Sequence, residues 1–329
     1  MNNPQLATLA DKILEKIRLR PGHSFELSKL SHGLKAGKED IIGALRLLQT
    51  LGYAVTSDGK GHLILASAPD SLLEMELSYR LKTKFIGKQI HAYKSVQSTN
   101  VIANQLAASG APEGTIVVAE RQTKGRGRLG RSWHSPEKVG LYCSIILRPK
   151  VHPTLAPGIS LMTALALADT IASYDRIEVK IKWPNDVLIA GKKTAGILTE
   201  LSAEIDRTVY VIVGVGININ QKKSDFLEEL KKSATSIRIE LNKEISRVDF
   251  AQRFLRNFEK EYVGFKRHGL ARLRNRILKY SSLLNTIIKL RIGRKIVSGN
   301  VLDIDERGQL VIQTDDGIKA YNAGEVTTH

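Results

Sequence analysis

Apolar residues recur every three or four positions through the first fifty residues of the chain, and then alternate with polar ones. The first spacing predicts amphipathic helices and the second predicts β-strands. The predicted elements are helices over residues 4–20, 26–32 and 38–51 and hairpin strands over residues 53–56 and 62–66. Three helices followed by a hairpin are typical of a winged helix-turn-helix domain, which we place at residues 1–66.

The third helix of this domain would enter the major groove of DNA. It begins at Lys38, and Gln49 lies near its end. Two observations argue against a DNA contact. Residues 1–68 hold 9 Lys and Arg residues against 6 Asp and Glu residues, and Glu39 and Asp40 lie in the first turn of the helix. Carboxylates there complement the helix dipole but repel phosphates, so the sequence leaves DNA binding open.

The remainder of the chain divides into a linker with a connecting helix (67–83), a central domain (84–284) and a C-terminal segment (285–329). The central domain mixes strands and helices, which predicts an α+β fold with a mixed sheet. Its predicted strands are residues 90–96, 115–120, 141–147, 179–182, 195–201 and 209–219, and its predicted helices are residues 100–108, 157–174 and 247–266. Apolar and polar residues alternate between turns in the C-terminal segment, which predicts a small SH3-like β-barrel.

Composition narrows the class of protein. A formal net charge of +17 over 329 residues and a pI near 9.8 indicate acidic partners such as nucleotides or nucleic acid. The single cysteine, Cys143, excludes a disulfide framework and fits a reducing compartment. The first residues show no secretory signal pattern, so we expect a cytoplasmic protein with no membrane partner. The eight histidines are scattered, which argues against a zinc site.

Residues 122–133 read QTKGRGRLGRSW and interleave three glycines with Arg126, Arg128 and Arg131. Glycines let backbone N–H groups approach an anion, and guanidinium groups bind phosphate or carboxylate oxygens bidentately. The glycines also spell the G-x-G-x-x-G fingerprint of dinucleotide-binding folds. That fingerprint requires a helix directly after it, whereas here a polar segment with Pro136 follows. We therefore interpret this segment, the glycine-arginine loop, as an anion-binding loop of another kind.

Residues 182–200 read KWPNDVLIAGKKTAGILTE and form a second candidate segment. Asp186 follows a stiff Trp-Pro pair where we expect a turn, and its carboxylate could hold Mg²⁺ or cap that turn. Alternation along the next strand would place Lys193 on the same inward face as Ala195 and Ile197. An ammonium group turned inward needs an anion, although a solvated turn lysine remains the alternative.

Four blocks in order and spacing resemble the biotin protein ligase family. They are VQSTN (96–100), QTKGRGRLGRSW (122–133), KWPNDVLIAGKKTAGIL (182–198) and GVGININ (214–220). With the predicted N-terminal winged helix and C-terminal barrel, nearly the whole chain is similar to the bifunctional members, each a biotin--[acetyl-CoA-carboxylase] ligase and biotin operon repressor.

The resemblance implies a two-step reaction that requires ATP and Mg²⁺. Biotin and ATP would give biotinyl-5′-AMP and pyrophosphate, and the biotinyl group would then pass to one lysine of a biotin carboxyl carrier protein. Operator DNA is an implied further partner, and the resemblance allows a homodimer.

Residue roles follow from the resemblance, position by position. The implied catalytic residues are Lys193, Arg126 and Asp186, and Asp186 is also the implied metal ligand. The residues implied to bind biotin or biotinyl-AMP are Ser98, Thr99, Asn100, Gln122, Arg126, Gly127, Arg128, Trp133, Lys193, Gly196 and Asn218.

Two alternatives remain at this point. A lipoate-protein ligase also adenylates a carboxylic acid and modifies a lysine, but lipoate enzymes carry a different glycine loop that ends in His-Asp. The chain could instead be chiefly a DNA-binding regulator that senses biotinyl-AMP. The Glu39 and Asp40 pair argues against that role, and the intact glycine-arginine loop argues for catalysis.

Overall fold

The computed structural model describes residues 3–18, 24–57, 62–150, 152–174, 177–205 and 208–328. The chain forms two compact units, Met1–Asp70 and Ser71–His329. Each unit has its own core and is described by itself.

The N-terminal unit contains the three predicted helices and the predicted hairpin strands, with one further short strand. Its elements are α1 (Asn3–Arg18), β1 (Phe25–Glu26), α2 (Leu27–Leu34), α3 (Lys38–Thr50), β2 (Ala54–Ser57) and β3 (His62–Ser67). The strands pair antiparallel in the order β1-β3-β2. Ile13 of α1 and Ile41 and Leu48 of α3 are fully buried, so burial of the apolar helix faces holds this unit together. The hairpin turn, residues 58–61, lies outside the described residues.

A seven-stranded sheet forms the centre of the second unit. Its strands are β4 (Ile90–Val96), β5 (Ile116–Gln122), β6 (Gly140–Leu147), β7 (Val179–Lys182), β8 (Asp186–Ile189), β9 (Lys192–Ala203) and β10 (Thr208–Asn218). Their order is β4-β5-β6-β10-β9-β8-β7, and every pair is antiparallel except β4-β5. The expected mixed sheet is therefore present.

Helices cover both faces of this sheet. They are α4 (Glu74–Ser78), α5 (Thr99–Ala108), α6 (Ala156–Ala172), α7 (Ile237–Leu241), α8 (Arg247–His268) and α9 (Ala271–Tyr280). Val213 and Val215 of β10 join the large core with α6 and α8, whereas Ile212 joins Ala103 and Ala107 of α5. Successive β10 residues thus face opposite sides, and the even-numbered ones face α5.

The segment Pro153–Ala172, which includes α6, has the length and apolar composition of a helix that could cross a membrane. An 18-residue stretch of it is 71% buried inside the protein. Core helices of globular proteins have the same composition, because they contact apolar neighbours on all sides.

The C-terminal segment forms an antiparallel sheet of five strands. They are β11 (Ile287–Ile292), β12 (Lys295–Ile304), β13 (Leu310–Thr314), β14 (Gly317–Tyr321) and β15 (Glu325–Thr328), in the order β14-β13-β12-β11-β15. Within the described residues the two edge strands, β14 and β15, are not paired with each other. The predicted β module is present as a sheet, and no closed barrel is seen.

Candidate functional site

The candidate site lies on the face of the central sheet that also carries α5. The chain leaves β4 at Val96 and enters α5 at Thr99, so Ser98, Thr99 and Asn100 lie at the start of this helix and are 2–4% exposed. Most of the predicted substrate-binding residues border one small cavity. Its lining residues are Ser98, Thr99, Asn100, Gln122, Arg126, Gly127, Arg128, Trp133, Asn185, Lys193, Gly196, Ile197, Leu198, Gly214, Val215 and Gly216.

Hydrogen bonds fix the polar floor of this cavity. The Gln122 side-chain oxygen accepts from the Thr99 backbone N–H at 2.8 Å and lies 3.1 Å from the Thr99 hydroxyl. Its amide nitrogen donates to the Ser135 hydroxyl at 3.0 Å. The Ser144 hydroxyl lies 2.8 Å from Thr99 Oγ1 and 2.6 Å from Asn100 Oδ1. This network gives each buried amide and hydroxyl a defined orientation.

Glu200 connects the cavity floor with the glycine-arginine loop. Asn100 donates to Glu200 Oε2 at 2.7 Å, and Arg126 Nη1 lies 3.1 Å from Glu200 Oε1. One carboxylate therefore orients a buried amide and a cation of the loop, which sequence reasoning had not assigned together.

Three glycines of β9 and β10 leave room for the site's large side chains. A Cβ atom on Gly214 would overlap the Asn100 amide, and one on Gly216 would overlap the Trp133 indole. A Cβ atom on Gly196 would lie 2.9 Å from Trp133 Cζ3. Since real Cβ atoms do not approach so closely, these positions require glycine for packing, independently of backbone conformation.

Lys193 and Asp186 form an ion pair, with 2.7 Å between Nζ and Oδ1. The Lys193 ammonium also lies 5.5 Å from the centre of the Trp133 ring, within the range of a cation–π interaction. The Lys193 ammonium and its partner carboxylate, that of Asp186, therefore lie close to the Trp133 ring. Asp186 is the first residue of β8, not part of a turn as we expected.

The predicted face of Lys193 is wrong. Ala195 and Ile197 belong to the core on the side covered by α6 and α8, whereas the Lys193 side chain lies over Gly196 on the opposite side. The strand pairing shows why. Val187 and Leu188 are adjacent in β8, yet their partners in β9 are Ala195 and Lys193, so Thr194 is an extra residue. This bulge reverses the alternation and turns Lys193 toward the cavity.

Two contacts hold the glycine-arginine loop besides the Arg126–Glu200 pair. Arg128 Nη1 donates to Asn185 Oδ1 at 2.8 Å, and Arg131 forms an ion pair with Glu325 of β15. Within the loop, the Gly127 N–H donates to the Arg131 carbonyl at 2.7 Å. Burial lowers the pKa of the Arg128 guanidinium, although an arginine stays charged at any physiological pH. Arg128 is thus a partly desolvated cation that would gain from an anionic ligand.

A second, larger cavity adjoins the first. It has a volume of about 610 Å³ and shares Trp133 and Lys193 with the first cavity, whose volume is about 50 Å³. Its lining includes Lys182, Asp186, Asn218, Gln221 and Phe226. Ligand pockets commonly measure roughly 300–1,000 Å³, so only the second has the volume of a substrate pocket, and the first would have to widen around a ligand.

Asn218 was predicted to bind the substrate, and it lines the second cavity instead of the first. Its side chain donates to the Thr235 carbonyl at 3.0 Å and accepts from Gln221 at 3.2 Å. Both polar atoms are therefore engaged within the protein.

Asp186 is the predicted metal ligand of the site. Among the residues that the structure describes, no three His, Cys, Asp or Glu side chains cluster as a metal site. Mg²⁺ bound to a nucleotide needs only one or two protein carboxylates, because the phosphates supply other ligands. Asp186 borders the larger cavity and fits that limited role.

Comparison with known proteins identifies the relatives of this chain. Residues 92–218 match the biotin/lipoate A/B protein ligase family, and residues 283–327 match the biotin protein ligase C-terminal domain. The bifunctional ligase/repressor BirA of Bacillus subtilis is 36% identical over 97% of this chain and 98% of its own length. The chain belongs to the biotin protein ligase family.

Two further proteins support that assignment. The biotin--[acetyl-CoA-carboxylase] ligase of Mycobacterium tuberculosis is 33% identical over 73% of this chain and 88% of its own length. The solved biotin protein ligase of Aquifex aeolicus in complex with biotin and ATP is 33% identical, with a TM-score of 0.65 over 74% of this chain and 99% of that chain. The predicted resemblance is thereby confirmed.

Sequence reasoning missed several residues that contact the predicted site residues. Asn185 and Glu200 lie inside a recognised motif, and attention to polar side chains beside Asp186 and Lys193 could have found them. Ser135, Ser144 and Glu325 carry no local signal, because strand register and chain folding alone bring them to the site.

Proposed function

We propose that this chain is a cytoplasmic biotin protein ligase that activates biotin with ATP and transfers it to a lysine of a carrier protein. The observation that carries the proposal is the position of the Lys193–Asp186 pair and Trp133 at the junction of two cavities, beneath a loop of arginines. One cavity offers fixed amides and hydroxyls, and the other has the volume for a nucleotide.

In the first step, an oxygen of the biotin carboxylate attacks the α-phosphorus of ATP and pyrophosphate leaves. Both reactants are anions, so the protein must neutralise charge and hold the reacting atoms in line. Lys193 lies where its ammonium would contact both the carboxylate and the α-phosphate. Arg126 and Arg128 would bind the phosphate oxygens from the loop side. We assign Lys193 and Arg126 as catalytic residues.

Biotin recognition belongs to the smaller cavity. The ureido group of biotin has both donors and acceptors, which suits Ser98, Thr99, Asn100 and Gln122. The loop residue Gly127 would allow the ligand to approach the backbone closely, whereas Gly196 leaves the space from which Trp133 and Lys193 would border the ligand.

The nucleotide half of the adenylate would occupy the larger cavity. Trp133 would separate this half from the biotin half, and Asn218 would border the nucleotide. Asp186 would supply one carboxylate oxygen to Mg²⁺, which neutralises phosphate charge when bound. Asp186 also keeps Lys193 in place before the nucleotide arrives.

In the second step, the neutral amine of the carrier lysine attacks the carbonyl carbon of biotinyl-5′-AMP. An amide bond forms, the carbon–oxygen bond to AMP breaks, and the amine loses a proton. The protein must protect the mixed anhydride from water until the carrier arrives, which is the role we propose for the glycine-arginine loop.

The N-terminal unit is proposed to be a winged helix that represses transcription at operator DNA through α3. The order of three helices and an antiparallel hairpin supports the fold, and the bifunctional relatives support the role. We further propose domain boundaries at 1–66, 67–83, 84–284 and 285–329, and an SH3-like module in the last of these.

A homodimer is proposed through the free edge of β9. This strand continues to Ala203, whereas its pairing with β8 spans only Lys192 to Gly196. Within the described residues, 198–203 have no partner strand on that side, and Leu201 is exposed there. An unpaired edge can pair with the same edge of a second copy. Sedimentation velocity with and without biotin and ATP would measure the association.

Labelling of a carrier domain tests the ligase proposal directly. The protein is incubated with ATP, Mg²⁺ and either labelled biotin or labelled lipoate. We expect transfer of biotin and none of lipoate. Labelling by lipoate alone would instead favour the related lipoate activity, and no labelling by either acid would exclude ligation.

A further inference from the structure

Most of the positive charge of this protein lies outside the N-terminal unit. Residues 247–295 hold 14 Lys and Arg residues against three Asp and Glu residues, whereas the whole chain has a net charge of +17. These residues form α8, α9 and the β11–β12 hairpin. None of them belongs to the proposed ligase site, so the site's chemistry does not account for this concentration of charge.

A groove runs between α8 and α9, on the side of the sheet that α6 and α8 cover. It has a volume of about 530 Å³. Its lining residues are Lys260, Glu261, Val263, Gly264, Arg267, Arg272, Leu273 and Arg276. A Cβ atom on Gly264 would meet nothing within 4 Å, so the floor of the groove is open at that point. We call this feature the basic groove.

Three of the four cations in the basic groove are available for a ligand. Arg276 is engaged by Asp169 and Glu261. Lys260 is 73% exposed and lies 3.5 Å from Glu261, which Arg276 already neutralises. Arg267 and Arg272 are exposed and form no ion pair in the described parts of the chain. The lining thus carries more positive charge than its one carboxylate can offset.

The arrangement of these cations is linear. Lys260, Gly264 and Arg267 lie on one face of α8, since they are four and three residues apart. Seven residues of helix place Lys260 and Arg267 about 10 Å apart along the axis. Arg272 adds a cation on α9, where Arg276 is already balanced by Asp169 and Glu261. Three available cations spread over two helices match a linear array of phosphates better than a single small anion.

The low apolar content of the groove argues against a protein partner. Val263 and Leu273 are its only aliphatic lining residues, and no aromatic residue lines it. Protein interfaces have an apolar, aromatic-rich centre, whereas interfaces with nucleic acid are polar and strongly basic. We propose that the basic groove binds the phosphate backbone of double-stranded DNA without reading its base sequence, as a contact separate from the N-terminal unit.

The test compares the full-length protein with the variant Lys260→Gln/Arg267→Gln/Arg272→Gln. Affinity for a short duplex without an operator is measured by fluorescence anisotropy between 50 and 200 mM salt. The matched control is Lys88→Gln/Lys94→Gln/Lys243→Gln, which removes three exposed charges elsewhere in the same unit. Carrier biotinylation is measured on all three proteins, so that failure of the ligase proposal can be told apart from failure of the DNA-binding proposal.

We expect the groove variant to lose at least about 10-fold in affinity at 50 mM salt, with a log–log salt slope smaller by roughly 3, because each phosphate contact contributes about 0.9. Biotinylation and the control's DNA binding should not change. Single variants of Arg267 and Arg272 should each lower the slope by about 1. The proposal is overturned if the groove variant has the same salt slope as the control variant. It is also overturned if the groove variant keeps the salt slope of the unchanged protein and shows instead a raised KM for the carrier.

Discussion

At the residue scale, the site depends on which charged groups are already paired. Lys193 has Asp186 as a partner, and Arg126 has Glu200. Both pairs are partly exposed, so they add little stability by themselves. Their effect is to hold two cations in position before an anionic substrate binds, which is the requirement for electrostatic catalysis.

Replacing Lys193 with Ala removes the cation expected at the α-phosphate. We expect adenylation to slow by about 3 to 4 kcal/mol in activation free energy, comparable to the loss of one oxyanion-stabilising donor. Biotin-dependent pyrophosphate release measures this step. Lys192→Ala is the matched control, because Lys192 is the adjacent exposed lysine and lines neither cavity. Near-normal pyrophosphate release by the Lys193 variant would remove its assigned role.

Replacing Gly216 with Ala tests whether glycine is needed for packing. The new methyl group would overlap the Trp133 indole and displace it. Overpacking usually costs about 1 to 3 kcal/mol of folding free energy. Since Trp133 lines both cavities, we expect biotin affinity, measured by calorimetry, to fall as well. Gly264→Ala is the control, since its methyl group meets no neighbour. Equal biotin affinity in both variants would show that Trp133 does not depend on this glycine.

At the element scale, the bulge in β9 and the side-chain anchors of the glycine-arginine loop decide the geometry of the site. The bulge at Thr194 turns Lys193 toward the cavity. The loop is joined to the segment before β8 through Asn185 and to β15 through Glu325. An arginine-rich loop held by side-chain contacts, with glycines between them, can open for substrates and close over the product.

Replacing Arg128 with Gly removes one of those anchors. We expect earlier release of biotinyl-5′-AMP, since one charge-assisted hydrogen bond contributes roughly 1.5–3 kcal/mol. Rapid filtration measures how much adenylate the protein retains. Lys124→Gly is the control, because Lys124 is exposed in the same loop and lines neither cavity. Retention equal to that of the unchanged protein would contradict the anchoring role.

At the scale of the whole molecule, a buried ion pair joins distant parts of the catalytic unit. Arg247 of α8 is 1% exposed and lies 2.6 Å from Glu120 of β5. Glu120 also accepts from the Leu72 backbone N–H at 2.7 Å. The connecting segment, the sheet and α8 therefore meet at one carboxylate, two residues before Gln122.

Replacing Glu120 with Leu leaves the Arg247 charge buried without this partner. We expect the free energy of unfolding to fall by about 3–5 kcal/mol, the usual effect of breaking a buried pair. Urea denaturation, followed through the unfolding transition of the catalytic unit, measures this free energy. Asp316→Asn, which breaks an exposed pair with Lys319, should leave it nearly unchanged, because solvent screens exposed pairs. Similar losses in both variants would mean that burial of the Glu120 pair is unimportant.

Local sequence was sufficient for the main motifs and for most of the longer elements. Helical and alternating periodicity predicted the three N-terminal helices and most strands, because each element must bury one face. It missed the short elements β1, β8 and α7, and it missed α9, in which four of the ten residues are Lys or Arg. The four motif blocks brought forward most of the residues that line the smaller cavity.

The sequence by itself determined the family, the candidate residues and the charge of this protein, since these depend on residue identity and spacing. Only the tertiary structure decided which face Lys193 occupies, which carboxylates hold the arginines, and where the basic groove lies. Strand register and helix packing set those relations, and they join residues far apart in the chain. A single extra residue at Thr194 was enough to reverse the face predicted from alternation.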